Sequence, residues 1–149
     1  MRKAFLLALS AMSLNLMAAT VDATEPNKIL EIAKGFGSAE LSNDKHGDPL
    51  IQGRMEGYKY QIIFYDCENG KNCTTIAFDA AWEISSEVDL EKVNDWNQNK
   101  RFGRAFLDVD GDPALDWDVN LKHGVEKANL EDTFKIWKDL MQEYVDFIQ

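Results

Sequence analysis

Apolar and polar residues alternate most clearly over residues 58–65, Tyr-Lys-Tyr-Gln-Ile-Ile-Phe-Tyr, where Tyr58, Tyr60, Ile62 and Phe64 share one face of an extended strand. Residues 74–82 repeat the pattern with Ile76, Phe78, Ala80 and Trp82. Joining the two apolar faces pairs Phe64 with Ile76, Ile62 with Phe78 and Tyr60 with Ala80, since a one-residue slip would turn one set to the opposite face. This register centres the turn on Gly70 and predicts the three-residue loop Asn69-Gly70-Lys71. The apolar pattern alone thus sets Cys67 opposite Cys73, close enough for a disulfide.

A helical period appears elsewhere. Residues 24–34 read as a short helix with Ile29, Leu30, Ile32 and Ala33 apolar and Gly35 as the stop. Residues 85–99 read as a second, with Asp89 or Ser86 as N-cap and Leu90, Val93 and Trp96 turned inward. Residues 104–109 and 114–121 form a further hairpin, in which Leu115, Trp117, Val119 and Leu121 alternate with Asp116, Asp118 and Asn120. Pairing Leu107 with Leu115 centres that turn on Gly111 and places Arg104 across from Asp118, a favourable cross-strand pair. The last helix is capped by Asn129 and runs to Gln149. Its apolar stripe, Leu130, Phe134, Trp137, Met141, Tyr144 and Ile148, is flanked by Ile136, Leu140 and Phe147. So wide a stripe either lies deep across a sheet, the default for such a pattern, or gives Trp137, Met141, Tyr144 and Ile148 to a partner helix or a homodimer seam.

The chain carries an internal repeat. Phe36-Gly37-x-Ala39-x-Leu41 returns as Phe102-Gly103-x-Ala105-x-Leu107, and a Gly-Asp-Pro turn follows each copy, at Gly47-Asp48-Pro49 and Gly111-Asp112-Pro113. Each copy also follows a predicted helix. The order is therefore helix–hairpin, central hairpin, helix–hairpin, long helix. This predicts an α+β fold: one antiparallel sheet built from hairpins, with flanking helices and a long C-terminal helix.

The N-terminus changes the picture of where this domain works. Arg2 and Lys3 precede a short apolar run and then small residues, the pattern of a signal peptide, with cleavage after Ala19 or after Ala23, where Val21-Asp22-Ala23 fits the small-x-Ala rule. The run is too short to span a bilayer, and Asn15 interrupts it. With residues 1–23 as leader and 24–149 as one domain, the mature protein is expected to be periplasmic or secreted, in a compartment where its only two cysteines oxidise. The formal charge is −10, and losing Arg2, Lys3 and Asp22 makes it one unit more negative. Such a surface repels phosphate backbones and anionic lipid, so neither nucleic acid nor a membrane surface is expected as partner.

Candidate chemistry is sparse. Asp108-x-Asp110-Gly111-Asp112 invites a calcium reading, but an EF-hand starting at Asp108 needs Gly and Glu where Pro113 and Val119 stand, and Asp-Gly is ordinary hairpin-tip chemistry. His46 and His123 read as solvent-side turn residues, and neither adjoins a Ser or Cys in a recognisable motif. The glycines fall singly at turns rather than in a phosphate-binding loop. No catalytic residue, metal or cofactor is expected. What remains is recognition, with Trp96, Asn97, Arg101 and Arg104 as candidate binding residues, a basic and polar spot on an acidic chain. Their competing role is to satisfy carbonyls at the end of the second helix.

Asn94, Trp96, Asn97, Arg101, Phe102, Gly103 and Arg104, followed by Asp110-Gly111-Asp112-Pro113, resemble the signature of the YbjN family of bacterial sensory-transduction regulators. The likeness extends to Gly124, Val125 and Asn129-Leu130, and back to Cys67-Glu68-Asn69-Gly70 and Gly47-Asp48-Pro49. The resemblance implies a fold similar to type III secretion chaperones, often dimeric, binding protein segments rather than turning over substrate. A leader departs from the cytosolic setting of such proteins. The expectation is an exported, non-catalytic protein that recognises a protein segment in the periplasm. The alternative is a small-ligand sensor or an enzyme whose site forms only in three dimensions.

Overall fold

A computed structural model describes residues 20–84 and 87–149. The expected leader lies outside the described residues up to position 19, as do Ser85 and Ser86. The elements are β1 (Thr20–Val21), α1 (Pro26–Lys34), β2 (Ser38–Asn43), β3 (Pro49–Met55), β4 (Tyr58–Tyr65), β5 (Thr75–Ala81), α2 (Leu90–Asn99), β6 (Arg104–Leu107), β7 (Pro113–Asn120), β8 (Val125–Glu126) and α3 (Lys127–Ile148). Strands β2-β3-β4-β5-β7-β6 form one antiparallel six-stranded sheet, and β1 pairs with β8 in a separate two-stranded ribbon. The α+β class, the hairpins and the long final helix are as the sequence predicts.

The sheet order carries the internal repeat. Each α–hairpin unit puts its first strand at an edge (β2 or β6) and its second strand inside (β3 or β7), with β4–β5 between them. The two repeat turns close by the same bonds. Asp44 and Asp108 each donate their amide to the carbonyl of the residue four positions on, at 2.8 and 2.9 Å, and each accepts the amide of Gly47 or Gly111 at 3.1 Å. The Asp44 carboxylate also accepts the His46 and Asp48 amides, and the Asp108 carboxylate accepts those of Asp110 and Asp112. The acidic run that resembles a calcium loop therefore works as turn chemistry, with Asp108 consumed by backbone amides.

This turn corrects one predicted register. Because Asp108 pairs with Asp112, Leu107 faces Pro113, Ala105 faces Leu115 and Arg104 faces Asp116, two residues from the expected Asp118. The central register stands: Phe64 pairs with Ile76 and Ile62 with Phe78. Its tip is tighter than the predicted loop. Glu68 bridges Lys71 around the two-residue turn Asn69-Gly70, both with left-handed φ (54° and 74°), and Asn72, at φ 53°, absorbs the extra residue before Cys73. A Cβ on Gly70 would come within 2.5 Å of the Gly47 carbonyl oxygen, so the two hairpin tips touch there. Beyond the bulge, Cys67 and Cys73 form the disulfide.

All three helices contribute to one core on one face of the sheet. From the strands it takes Ile51, Tyr60, Ile62, Phe64, Ile76, Phe78 and Leu115, and from α3 the whole stripe from Leu130 to Ile148. Phe78 is central, with its ring 4.9 Å from Phe134 and 5.5 Å from Trp137. Trp137, Met141, Tyr144 and Ile148 are each at most 1% exposed, so in the single chain this stripe is core. Helix α3 begins at Lys127 rather than after an Asn129 cap, because β8 leads straight into it. In α2, Asp89 is the N-cap and its carboxylate accepts the Lys92 amide at 2.8 Å. Val93 and Trp96 are buried as expected, but Leu90 is 71% exposed, since the helix starts there and its first residue falls beyond the rim of the core.

Two expected outcomes follow from this packing. Gly53 lies opposite Tyr60, whose ring occupies the place of a Cβ, with atoms 2.5 Å from it, so Gly53→Ala must displace a buried aromatic. It should destabilise by about 1–3 kcal/mol in urea unfolding. Opening the short disulfide loop by Cys67→Ser with Cys73→Ser should cost about 2 kcal/mol in the same assay, and reductant should reproduce the loss in the parent protein.

Candidate functional site

The residues singled out from sequence fall around the β6 edge, and most are committed to the fold. Trp96 is 1% exposed, its ring 4.9 Å from Tyr144 and 5.4 Å from Phe147. The Asn97 amide group donates to the Ala105 carbonyl at 3.0 Å, and its oxygen accepts the Ala105 amide at 2.9 Å. A side chain thus takes the place of a neighbouring strand at one residue of the edge. Arg104 pairs with Asp116 across the sheet, its Nε 3.0 Å from Oδ1. Arg101 is exposed, with its guanidinium 5.1 Å from the Phe102 ring. None of the four bonds a carbonyl at the end of α2, where the Lys100 amide satisfies Trp96.

The two edges of the sheet are treated differently, which is visible because the halves repeat. In β6, Ala105 belongs to a pair whose N–H and C=O point away from β7, and Asn97 takes both. The turn at Asp44 fixes the same alternation in the first half: Asp44 bonds Asp48, so Asn43–Pro49, Leu41–Ile51 and Ala39–Gly53 are pairs whose backbone groups point outward. Asn97 stands five residues before Phe102. The residue five before Phe36 is Glu31, which accepts from Lys34 at 2.9 Å and does not reach the edge. Among the described residues, no group bonds the amide or carbonyl of Ala39 or Leu41 from outside the hairpin. The β2 edge is also longer, six residues against four, and holds a single charged residue, Glu40. Proteins usually blunt such an edge with charge, proline, a bulge or a cover.

The face of the sheet away from the helices carries a polar row across all six strands, Glu40, Gln52, Gln61, Asp79, Asp116 and Arg104, each directly opposite the next. Gln61 donates to Asp79 at 2.8 Å. Asp79 and Asp116 are like charges on neighbouring strands, which disfavours the pair. Burial holds the Asp79 carboxyl above the usual carboxylate range; the Gln61 bond opposes this, and Asp116 and Asp108 add to it. Burial, with Asp118, Asp79 and Asp116 nearby, also raises the Tyr65 hydroxyl. The single sequence gave no signal for this row, because it depends on the register of five separate pairings. Asn97 could have been read as an edge latch from its place just before a short strand, had the strand been recognised as an edge.

Among the described residues, the fold and these surfaces define a small α+β protein with an open antiparallel sheet, helices on one face and one unlatched edge. The chain belongs to the YbjN family, described as "Putative bacterial sensory transduction regulator", whose match covers residues 26–149. No curated protein matches the sequence. Several motif residues of the resemblance prove to be fold residues: Trp96 packs, Asn97 latches, Arg104 pairs, and Asp112-Pro113 completes the turn.

Asn97→Ala should strand the Ala105 amide and carbonyl, costing about 1–3 kcal/mol, whereas Arg101→Ala should change stability by under about 0.5 kcal/mol in parallel urea titrations. The folded Asp79 carboxyl keeps its proton to a higher pH than the unfolded one, so the fold loses stability as pH rises through that interval. Asp79→Asn should therefore raise the Tm near about pH 7, and the gain should fade on approach to about pH 3, where the parent carboxyl is protonated.

Proposed function

We propose that this chain is an exported, non-catalytic regulator that binds an extended segment of another protein by adding it as a strand along β2. The observation that carries this reading is the unlatched β2 edge beside its latched counterpart. Backbone groups of Ala39, Leu41 and Asn43 offer three donors and three acceptors at alternate positions, the spacing an added antiparallel strand requires. Affinity would come from the main chain, and selectivity from side chains flanking the edge: Ser38, Glu40 and Ser42 on the open face, with Arg54 and Lys59 in the neighbouring strands. Export is supported by the leader pattern and by the disulfide, a bond that persists in oxidising compartments. No described helix is long and apolar enough to cross a membrane. Family membership as a regulator supports binding over turnover.

The test is reversible crosslinking of the tagged protein in periplasm, with mass spectrometry, for the parent and for Ala39→Pro. Proline at position 39 removes an outward N–H and leaves the β3 ladder intact, so the fold, checked by near-ultraviolet circular dichroism, should persist. A stoichiometric partner lost in the variant is the expected outcome. A partner retained by a folded variant overturns the assignment to this edge, and self-crosslinks alone would replace the client protein by a second copy.

A further inference from the structure

The leader pattern allows cleavage after Ala19 or after Ala23, and the small-x-Ala rule by itself favours Ala23. The fold treats the four residues between these bonds as its own. Thr20 pairs with Glu126 and Val21 with Val125, so β1 is a strand of the β1–β8 ribbon that leads into α3. Val21 is 3% exposed and Ala23 1%, and both belong to the single core. Asp22 organises the entry to α1: its carboxylate accepts the Thr24 amide at 2.8 Å and the Thr24 hydroxyl at 2.5 Å, and its carbonyl accepts the Glu25 amide at 3.3 Å. Helix α1 has no side-chain cap at Glu25, so this turn and Pro26 at its first position define its start.

We infer that the leader is removed at the Ala19–Thr20 bond, and that Thr20-Val21-Asp22-Ala23 is the first structural segment of the mature protein. Water adds across that amide, leaving a carboxylate on Ala19 and a free amine on Thr20. The new ammonium group then begins the strand directly opposite Glu126, where a positive charge is favoured. Cleavage after Ala23 would instead delete β1, open the space filled by Val21 and put a charged terminus next to buried Ala23's former place in the core. The inference rests on the export reading and extends it to a processing site.

Intact mass and N-terminal sequencing of the protein released from periplasm by osmotic shock decide it. A chain beginning at Thr20 is expected. A chain beginning at Thr24 overturns the inference and leaves export standing. Recovery only in the cytosol, beginning at Met1, overturns export itself. Ala19→Leu gives a second readout, since a bulky residue before the bond blocks cleavage there. Loss of the chain beginning at Thr20 is expected, replaced by precursor or by a chain cut after Ala23, and unchanged processing to the parent's mature mass would overturn the assignment.

Discussion

An open antiparallel sheet with helices on one face has to cover an apolar face and dispose of two unpaired edges. Here the first demand is met by α3. Its stripe lies over the even-numbered residues of β4 and β5 and over Leu115, and Phe78 meets both Phe134 and Trp137. The other elements are arranged around that contact: the turn after α1 reaches it through Phe36, stacked 5.5 Å from Phe134, and α2 through Trp96 against Tyr144. Four large aromatics in α2 and α3, Trp96, Phe134, Trp137 and Tyr144, are buried in the single chain by this arrangement.

The internal repeat makes the second demand informative. Two units with the same turn, the same Asp-to-amide bonds and the same edge–inner strand order should manage their edges alike. They do not. One edge is four residues long and latched by Asn97; the other is six residues long, with Glu31 at the matching place and turned to Lys34. Because the chain provides its own comparison, the open edge cannot be put down to a general tolerance of this fold for exposed backbone.

Sequence pattern carried much of the fold and little of the site. Strict alternation in 58–65 and 74–82 is enough to place the central register and, through it, the disulfide. It failed at β6–β7, where apolar matching of Leu107 with Leu115 competed with the Asp108 turn and the turn prevailed, because a carboxylate satisfying two amides fixes loop length more tightly than one apolar contact. The β1–β8 ribbon, two residues on each side, is too short to show any period. Residue type and sequence neighbourhood are all that mark Trp96, Asn97, Arg101 and Arg104 as binding candidates. Their actual partners, Tyr144, Ala105, Phe102 and Asp116, lie on elements that only the folded chain brings near.

That outcome bears on what the family signature means for function. A motif made of a buried Trp, an Asn latch, a cross-strand Arg and an Asp-Gly-Asp-Pro turn specifies how α2, β6 and β7 are assembled. In this chain the signature builds a scaffold with one finished edge, so a proposed selectivity would draw on positions outside it. The β2 edge and the polar row from Glu40 to Asp116 are such positions. They meet at Glu40, which sits on the edge strand and begins the row. A segment added along β2 would lie beside Glu40, and its side chains on the open face would extend the row by one more strand, bringing main-chain pairing and side-chain selection together at one residue.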